Sequence, residues 1–158
     1  MAILPDGAYV CYFVLHIVIT VLIDAAIALP EQYQLPLQKQ LLAYHVRTNS
    51  DLLIVDSPVW LRSFVWLEIL LQLPFFFWAA ADLLRGRKRV WPAIVAYGVE
   101  ASTTTYACLA EVLFMDASPE IKRNLLGLYV PTLALPLVMA IDFGRRIASE
   151  LTQKQKTE

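Results

Sequence analysis

Charge is scarce in this 158-residue chain: Asp, Glu, Lys and Arg make up 17% of it, against 58% for the AVILMFWYC set. Soluble domains run near a quarter charged and half apolar. The balance excludes an ordinary soluble enzyme of this length, a disordered chain and a collagen-like chain. A chain this short cannot hide so many apolar side chains within itself, so the surplus faces lipid. An excess of positive charge is missing too. With 13 Lys+Arg against 14 Asp+Glu the net charge is −1, and no basic face for nucleic acid is indicated. Cysteine is limited to Cys11 and Cys108, both inside apolar stretches. That pattern suits two buried free thiols rather than a disulfide framework or a zinc site. No metal and no cofactor are implied.

What is abundant is apolar sequence, and marking the charges divides it into four segments. The first, Gly7 to Leu29, is broken only by Asp24; the second, Ser63 to Ala81, only by Glu68. The third, Val90 to Met115, contains Glu100 and Glu111, and the fourth, Asn124 to Ile141, has no charge. Crossing a hydrocarbon core takes roughly 20 helical residues, and backbone groups in lipid need internal partners. An all-α membrane protein with four transmembrane helices is therefore expected. The alternation of a lipid-facing barrel strand is absent. Pro30 to Pro58 reads as the longest polar connection, with Asn49-Ser50-Asp51 and Ser57-Pro58 as helix punctuation. Arg85-Gly86-Arg87-Lys88-Arg89 reads as a tight basic turn, and Ser118-Pro119-Glu120 as the start of the fourth helix. The tail after Arg145 is polar and expected to fray. Ala26-Ile27-Ala28 fits a leader cleavage pattern, but no Lys or Arg precedes the apolar run, which carries His16 and Asp24; a retained helix is expected.

Positive charge sets the orientation. Arg85, Arg87, Lys88, Arg89, Arg145, Arg146, Lys154 and Lys156 fall on one side of such a bundle, and Lys39, Arg47, Arg62, Lys122 and Arg123 on the other. Both termini are expected in the cytoplasm. The last five residues, with Lys154 and Lys156, resemble the KxKxx signal by which coat proteins return membrane proteins to the endoplasmic reticulum.

Carboxylates inside a membrane helix cost roughly 2.5–3.5 kcal/mol each on insertion scales and usually face the bundle interior. Glu111 lies near Asp116 and Asp142 near Arg145 and Arg146, so both read as interfacial. Asp24 and Glu68 are the functional candidates. His16, Thr20 and Asp24 are spaced to stack on one helix face; Glu68 and Gln72 stack likewise, with Trp60 and Phe64 on the same stripe. Antiparallel neighbours bring the two acids together, and in an apolar cavity one of them keeps its proton. Such a pair donates a hydrogen bond, accepts a cation, or moves a proton on a sterol double bond. The same pair also fits a purely structural role joining helices one and two. Pro74, Pro131 and Pro136 are expected to kink helices two and four and leave room for a cavity.

The residues also carry a resemblance. His16-Ile17-Val18-Ile19-Thr20, Asp24 and Ala28-Leu29-Pro30 begin it, followed by Trp60-Leu61-Arg62-Ser63-Phe64, Glu68 and Gln72-Leu73-Pro74-Phe75-Phe76. Pro92-Ala93-Ile94, Thr103-Thr104, Tyr129-Val130-Pro131 and Leu135-Pro136 complete it. In this order, over about residues 8–143, the chain resembles the EXPERA-domain family of the sigma-2 receptor type. That family also contains the emopamil-binding protein, a sterol Δ8-Δ7 isomerase. The resemblance implies a four-helix domain over 8–143, a cytoplasmic tail over 144–158, and a homodimer in the endoplasmic reticulum membrane with a pocket reached from the bilayer. It implies cholesterol, oxysterols and cationic amphiphiles as ligands, and a sterol-transport membrane protein as partner. Asp24 would meet the ligand cation, with a protonated Glu68 beside it and Asp51 as support in the luminal loop. The ligand-binding set becomes Asp24, Glu68, Thr20, His16, Gln72, Tyr129, Thr132, Thr104 and Glu100, the last as an extra pocket acid. An isomerase would use Asp24 and Glu68 for proton transfer, but Tyr129 and Thr132 stand where the isomerase has an Asn and a Trp. The carbocation-stabilising set is thus incomplete, and a non-catalytic binding protein is expected.

Overall fold

With no water to bond their amides, apolar runs of this length close their hydrogen bonds along the chain. The computed structural model describes residues 2–157 and contains helices and turns, with no strand among the described residues. Helix α1 (Asp6–Ile19) continues through a π-helical turn, Thr20–Asp24, into α2 (Ala25–Ala28). Helix α3 spans Pro36–Asn49 and α4 Leu52–Asp56. Helix α5 (Val59–Leu67) passes through a second π turn, Glu68–Gln72, into α6 (Leu73–Leu84). Helices α7 (Trp91–Phe114) and α8 (Pro119–Thr157) complete the chain.

Among the described residues three helical stretches are long and apolar enough to cross a membrane: Asp6–Ala28, Val59–Leu84 and Pro119–Lys156. The chain is a multi-pass, all-helical membrane protein. Helix α7, the expected remaining span, has 24 residues but is not among the three, because Glu100, Glu111 and the Ser102–Thr105 run dilute its hydropathy. The connection 30–58 is more ordered than its polarity suggests. Its α3 and α4 end at Ser50 and Ser57, which take left-handed φ values of 51° and 41°. Gln38, buried in α3, donates to the Val21 carbonyl at 2.7 Å; this carbonyl lies in a π turn, where the usual i+4 pairing is interrupted. Gln34 donates to the carbonyls of Ala26 and Leu29, both at 2.8 Å, and seals the end of α2.

Helix α7 packs along α8 and α1 along α6. The first pairing depends on Gly98, where a Cβ would lie 2.5 Å from the Pro136 carbonyl oxygen. Tyr9, Phe13, Phe76, Ile94, Met139 and Phe143 fill the core where α1, α6, α7 and α8 meet. A smaller cluster, Leu53, Leu61 and Cys108, closes the other end.

Two expectations change. Cys11 is exposed on the outer face of α1 and only Cys108 is buried, because the core stripe of α1 runs through Tyr9, Tyr12 and Phe13. Asp142 is a buried anchor at the end of the bundle: it accepts from Tyr9 Oη (2.7 Å), the Ile3 amide (2.9 Å) and Arg146 (2.9 Å), and Arg146 also pairs with Asp6. The tail is helical rather than frayed after Arg145: the Arg146 ion pairs and a Lys88–Glu150 contact anchor α8 as far as Glu150, and the helix continues to Thr157. Lys154 and Lys156 therefore lie on its final turns, and Glu158 of the retrieval motif lies outside the described residues.

The basic turn forms as expected. Gly86, at φ 65°, lets the Gly86 and Arg87 amides bond back to the Leu83 and Asp82 carbonyls, which terminates α6. The buried Asp82 carboxylate accepts from Trp78 (2.8 Å) and Arg89 (2.6 Å), and its hydrogen bond holds the exposed Arg89 guanidinium above its ordinary value.

Candidate functional site

The two π turns meet, and each carries one of the singled-out acids: Asp24 closes the first and Glu68 opens the second. A π turn widens the helix by one residue and is common at functional sites. In the second case the cause is legible. Pro74 has no amide, and its ring crowds the Leu70 carbonyl four residues back, inside the turn. No residue of Thr20–Asp24 marks the first turn in advance. Together they rotate Asp24 and Glu68 into one cavity, where the carboxyls interact directly. Thr20, fully buried, donates to Glu68 Oε1 at 2.5 Å.

The cavity holds about 390 Å³ and lies between α1, α5, α7 and α8, below α3 and α4. Its walls are mostly apolar, with Ile19, Ile23, Leu61, Phe64, Val65 and Pro136 among them. Of the expected ligand residues, it brings together Asp24, Glu68, His16, Gln72, Tyr129, Thr132 and Thr104. Two stand behind the wall. Thr20 supports Glu68 without lining the cavity, and Glu100 accepts from Gln72 at 2.6 Å, with its second oxygen buried and unpartnered. Trp60 turns away to pack on the Leu53 cluster, while Phe64 stays in the wall.

Asp51 lines the cavity and also organises it. It caps α4 by accepting from the Ile54 amide (3.3 Å), and takes hydrogen bonds from His45 (3.2 Å) and Tyr129 (3.0 Å). This single buried carboxylate ties α3, α4 and α8 together over one end of the cavity. His45 was not anticipated, although His45 and Asn49 at i, i+4 beside Asp51 form a polar cluster in the sequence. Tyr12, Tyr97 and Thr105 were likewise not singled out as ligand contacts. At the other end of the cavity, Tyr12 and Tyr97 share a 2.7 Å hydroxyl–hydroxyl bond beside His16.

Comparison with known proteins identifies the family. The profile of the EXPERA (EXPanded EBP superfamily) family matches residues 37–143. Efficient mitochondria targeting-associated protein 19 of Saccharomyces cerevisiae is 34% identical over 148 residues, covering 82% of this chain and 91% of that protein. Its namesake from Schizosaccharomyces pombe is 33% identical, covering 90% and 76%. Sigma intracellular receptor 2 of Homo sapiens is 31% identical over 160 residues, covering 92% and 90%. With a profile matched over well over half of its length, and relatives aligned across most of theirs, the chain belongs to the EXPERA family.

Proposed function

We propose that this chain is a receptor-like protein of the endoplasmic reticulum membrane. It binds sterols, oxysterols and cationic amphiphiles in the acidic cavity and serves sterol homeostasis or trafficking. The observation that carries the reading is the meeting of Asp24 and Glu68 within one apolar-walled space of about 390 Å³. A carboxylate held at membrane depth is costly, and a bound ammonium offsets that cost while fused rings lie on the Ile, Leu and Phe walls. In this reading Asp24 receives the cation and Glu68, held by Thr20, sits beside it. Gln72, His16, Thr104, Thr132 and Tyr129 contact the rest of the ligand, Glu100 acts through Gln72, and Asp51 supports the wall. The reading takes α7 as a fourth span, residues 8–143 as the domain, cytoplasmic termini with a retrieval signal at Lys154 and Lys156, and a homodimer. The name of the human relative, a sigma intracellular receptor, supports it.

Thermal unfolding of the purified protein in detergent tests it: sterols and cationic amphiphiles raise the midpoint, and no shift with either class would sink the proposal. Asp24→Asn abolishes the amine effect; amine binding that survived it would rule out the ion pair. Isomerisation is the second reading, favoured by the acid pair itself, which suits proton delivery and removal on one sterol. Supplying a Δ8-sterol decides it, since a Δ7 product lost in Glu68→Gln would replace binding with catalysis. The fungal relatives' name suggests a further role in efficient mitochondrial targeting. Unchanged precursor delivery to mitochondria after loss of the protein would set it aside.

A further inference from the structure

A π turn leaves one carbonyl without the amide that a regular α-helix would give it, and a backbone group bared at membrane depth is costly. In the first turn the Ala25 amide reaches the Thr20 carbonyl, five residues back, and passes over Val21. The Val21 carbonyl is met instead by Gln38, which lies in α3, does not line the cavity and is 4% exposed. Both ends of the Gln38 amide are assigned by their partners. Its oxygen accepts from the Leu35 amide at 2.7 Å, capping α3, so its nitrogen donates to Val21, also at 2.7 Å. The second turn needs no such prop. There the Leu73 amide reaches the Glu68 carbonyl, and Pro74, crowding the Leu70 carbonyl, holds the helix out of regular pairing. The first turn contains no proline, and nothing covalent keeps the Ala25 amide off the Val21 carbonyl.

We infer that Gln38 is the positioning residue for Asp24: by occupying the Val21 carbonyl it keeps the first turn in π geometry and the acid turned into the cavity. Without it the Ala25 amide takes that carbonyl back and the turn closes as α-helix. Its C-terminal side then rotates by about 100°, the angle of one residue, relative to Tyr12 and His16. Asp24 swings away from Glu68, whose own turn Pro74 fixes. One acid is thus set by its own helix and the other by the connection 30–58, which also holds the Ala26 and Leu29 carbonyls through Gln34. The inference rests on the proposed amine binding and adds to it a residue that touches no ligand.

The test compares two probes on one skeleton, 3β-amino-5α-cholestane and 5α-cholestan-3β-ol, titrated into the purified protein in detergent. Gln38→Met keeps the side-chain length and removes both hydrogen bonds. It is expected to weaken the amine about 10- to 100-fold, the size of a lost charge-assisted bond, and the uncharged alcohol by less than about 3-fold. Gln38→Ala, with a better helix former, gives the same reading where Gln38→Met does not fold. Leu35→Pro is the control. Leu35 already has φ −68° and Gln34 ψ 137°, both compatible with proline, so the change deletes the cap donor and leaves the bond to Val21. Both affinities are expected to hold in it. Amine binding unchanged in Gln38→Met overturns the inference and leaves amine binding standing. Equal loss of both probes marks a general loosening of the cavity, and an amine loss in Leu35→Pro that matches Gln38→Met marks mere capping of α3; either result overturns the inference. A wild-type protein that binds no amine defeats the proposed ion pair, and the inference with it.

Discussion

A single methyl group at position 98 tests the α7–α8 packing on which the cavity depends. A Cβ there would lie 2.5 Å from the Pro136 carbonyl oxygen, 2.9 Å from the Ala140 amide nitrogen and 3.0 Å from Ala140 Cβ, where ordinary contact begins at 3.4 Å. Helix α8 must retreat by about 1 Å, because the nearest obstacles are backbone atoms that cannot swing aside as a side-chain tip does. Overpacking of this kind costs about 1–3 kcal/mol, and a backbone clash belongs near the top of that range. Replacing a helical glycine by alanine returns about 1 kcal/mol. Gly98→Ala should therefore lose about 2 kcal/mol, a fall of roughly 4–8 °C in Tm for a chain of this size. Gly144 lies in α8 with nothing within 4 Å of its notional Cβ, so Gly144→Ala should be neutral or stabilised by up to about 1 kcal/mol. Loss of helical circular dichroism on heating supplies the readout. Tyr97, Ala101 and Pro136 line the cavity, so ligand stabilisation should shrink in Gly98→Ala as well. A Gly98→Ala protein that melts at or above the wild-type temperature refutes the reasoning, as does an equal loss in Gly144→Ala.

Other substitutions probe the polar anchors. Asp51→Ala removes the α4 cap and strands the Tyr129 hydroxyl and the His45 ring. It should cost about 2–4 kcal/mol, against about 1 kcal/mol for Tyr129→Phe; equal losses by thermal unfolding would show that Asp51 does not organise the cavity end. Arg146→Met leaves Asp142, whose side chain is 0% exposed, without its charge partner, and should cost about 3–5 kcal/mol. Adding Asp142→Asn should recover part of that loss, and additive losses in the double variant would contradict the pairing. Thr20→Val removes the hydrogen bond to Glu68 and should cost about 1 kcal/mol of stability while weakening amine binding several-fold. Unchanged amine affinity would mean that Thr20 does not position the acid.

Much of the helical layout was legible because its signals are local. Ser118-Pro119-Glu120 begins α8 where its capping pattern predicts, with the Ser118 hydroxyl accepting from the Ile121 amide. The Gly86 turn ends α6 among the arginines expected to flank it. Seven of the nine expected ligand residues line the cavity, because intramembrane polar groups turn inward whatever their partners. The misplacements have separate causes. Thr20 was assigned by i, i+4 spacing with His16 and Asp24, and the π turn at Thr20–Asp24 changes the phase of that spacing; Glu100, assigned from the resemblance, faces Gln72 instead, and Trp60 packs on the Leu53 cluster. Asp142 and Arg146 pair locally at i, i+4, but their burial comes from the N-terminal segment, some 140 residues away.

From the sequence alone come membrane residence, helical class, most helix ends and the candidate acids. These follow from hydropathy and capping, whose free energies accumulate along neighbouring residues. Tertiary structure alone decided that two π turns carry Asp24 and Glu68 to their meeting, that Glu100 faces Gln72 behind the cavity wall, and that Asp51 holds three helices at once. Such outcomes depend on the rotation and register of helices packed against one another, and a one-residue π turn or a missing Cβ at Gly98 resets both.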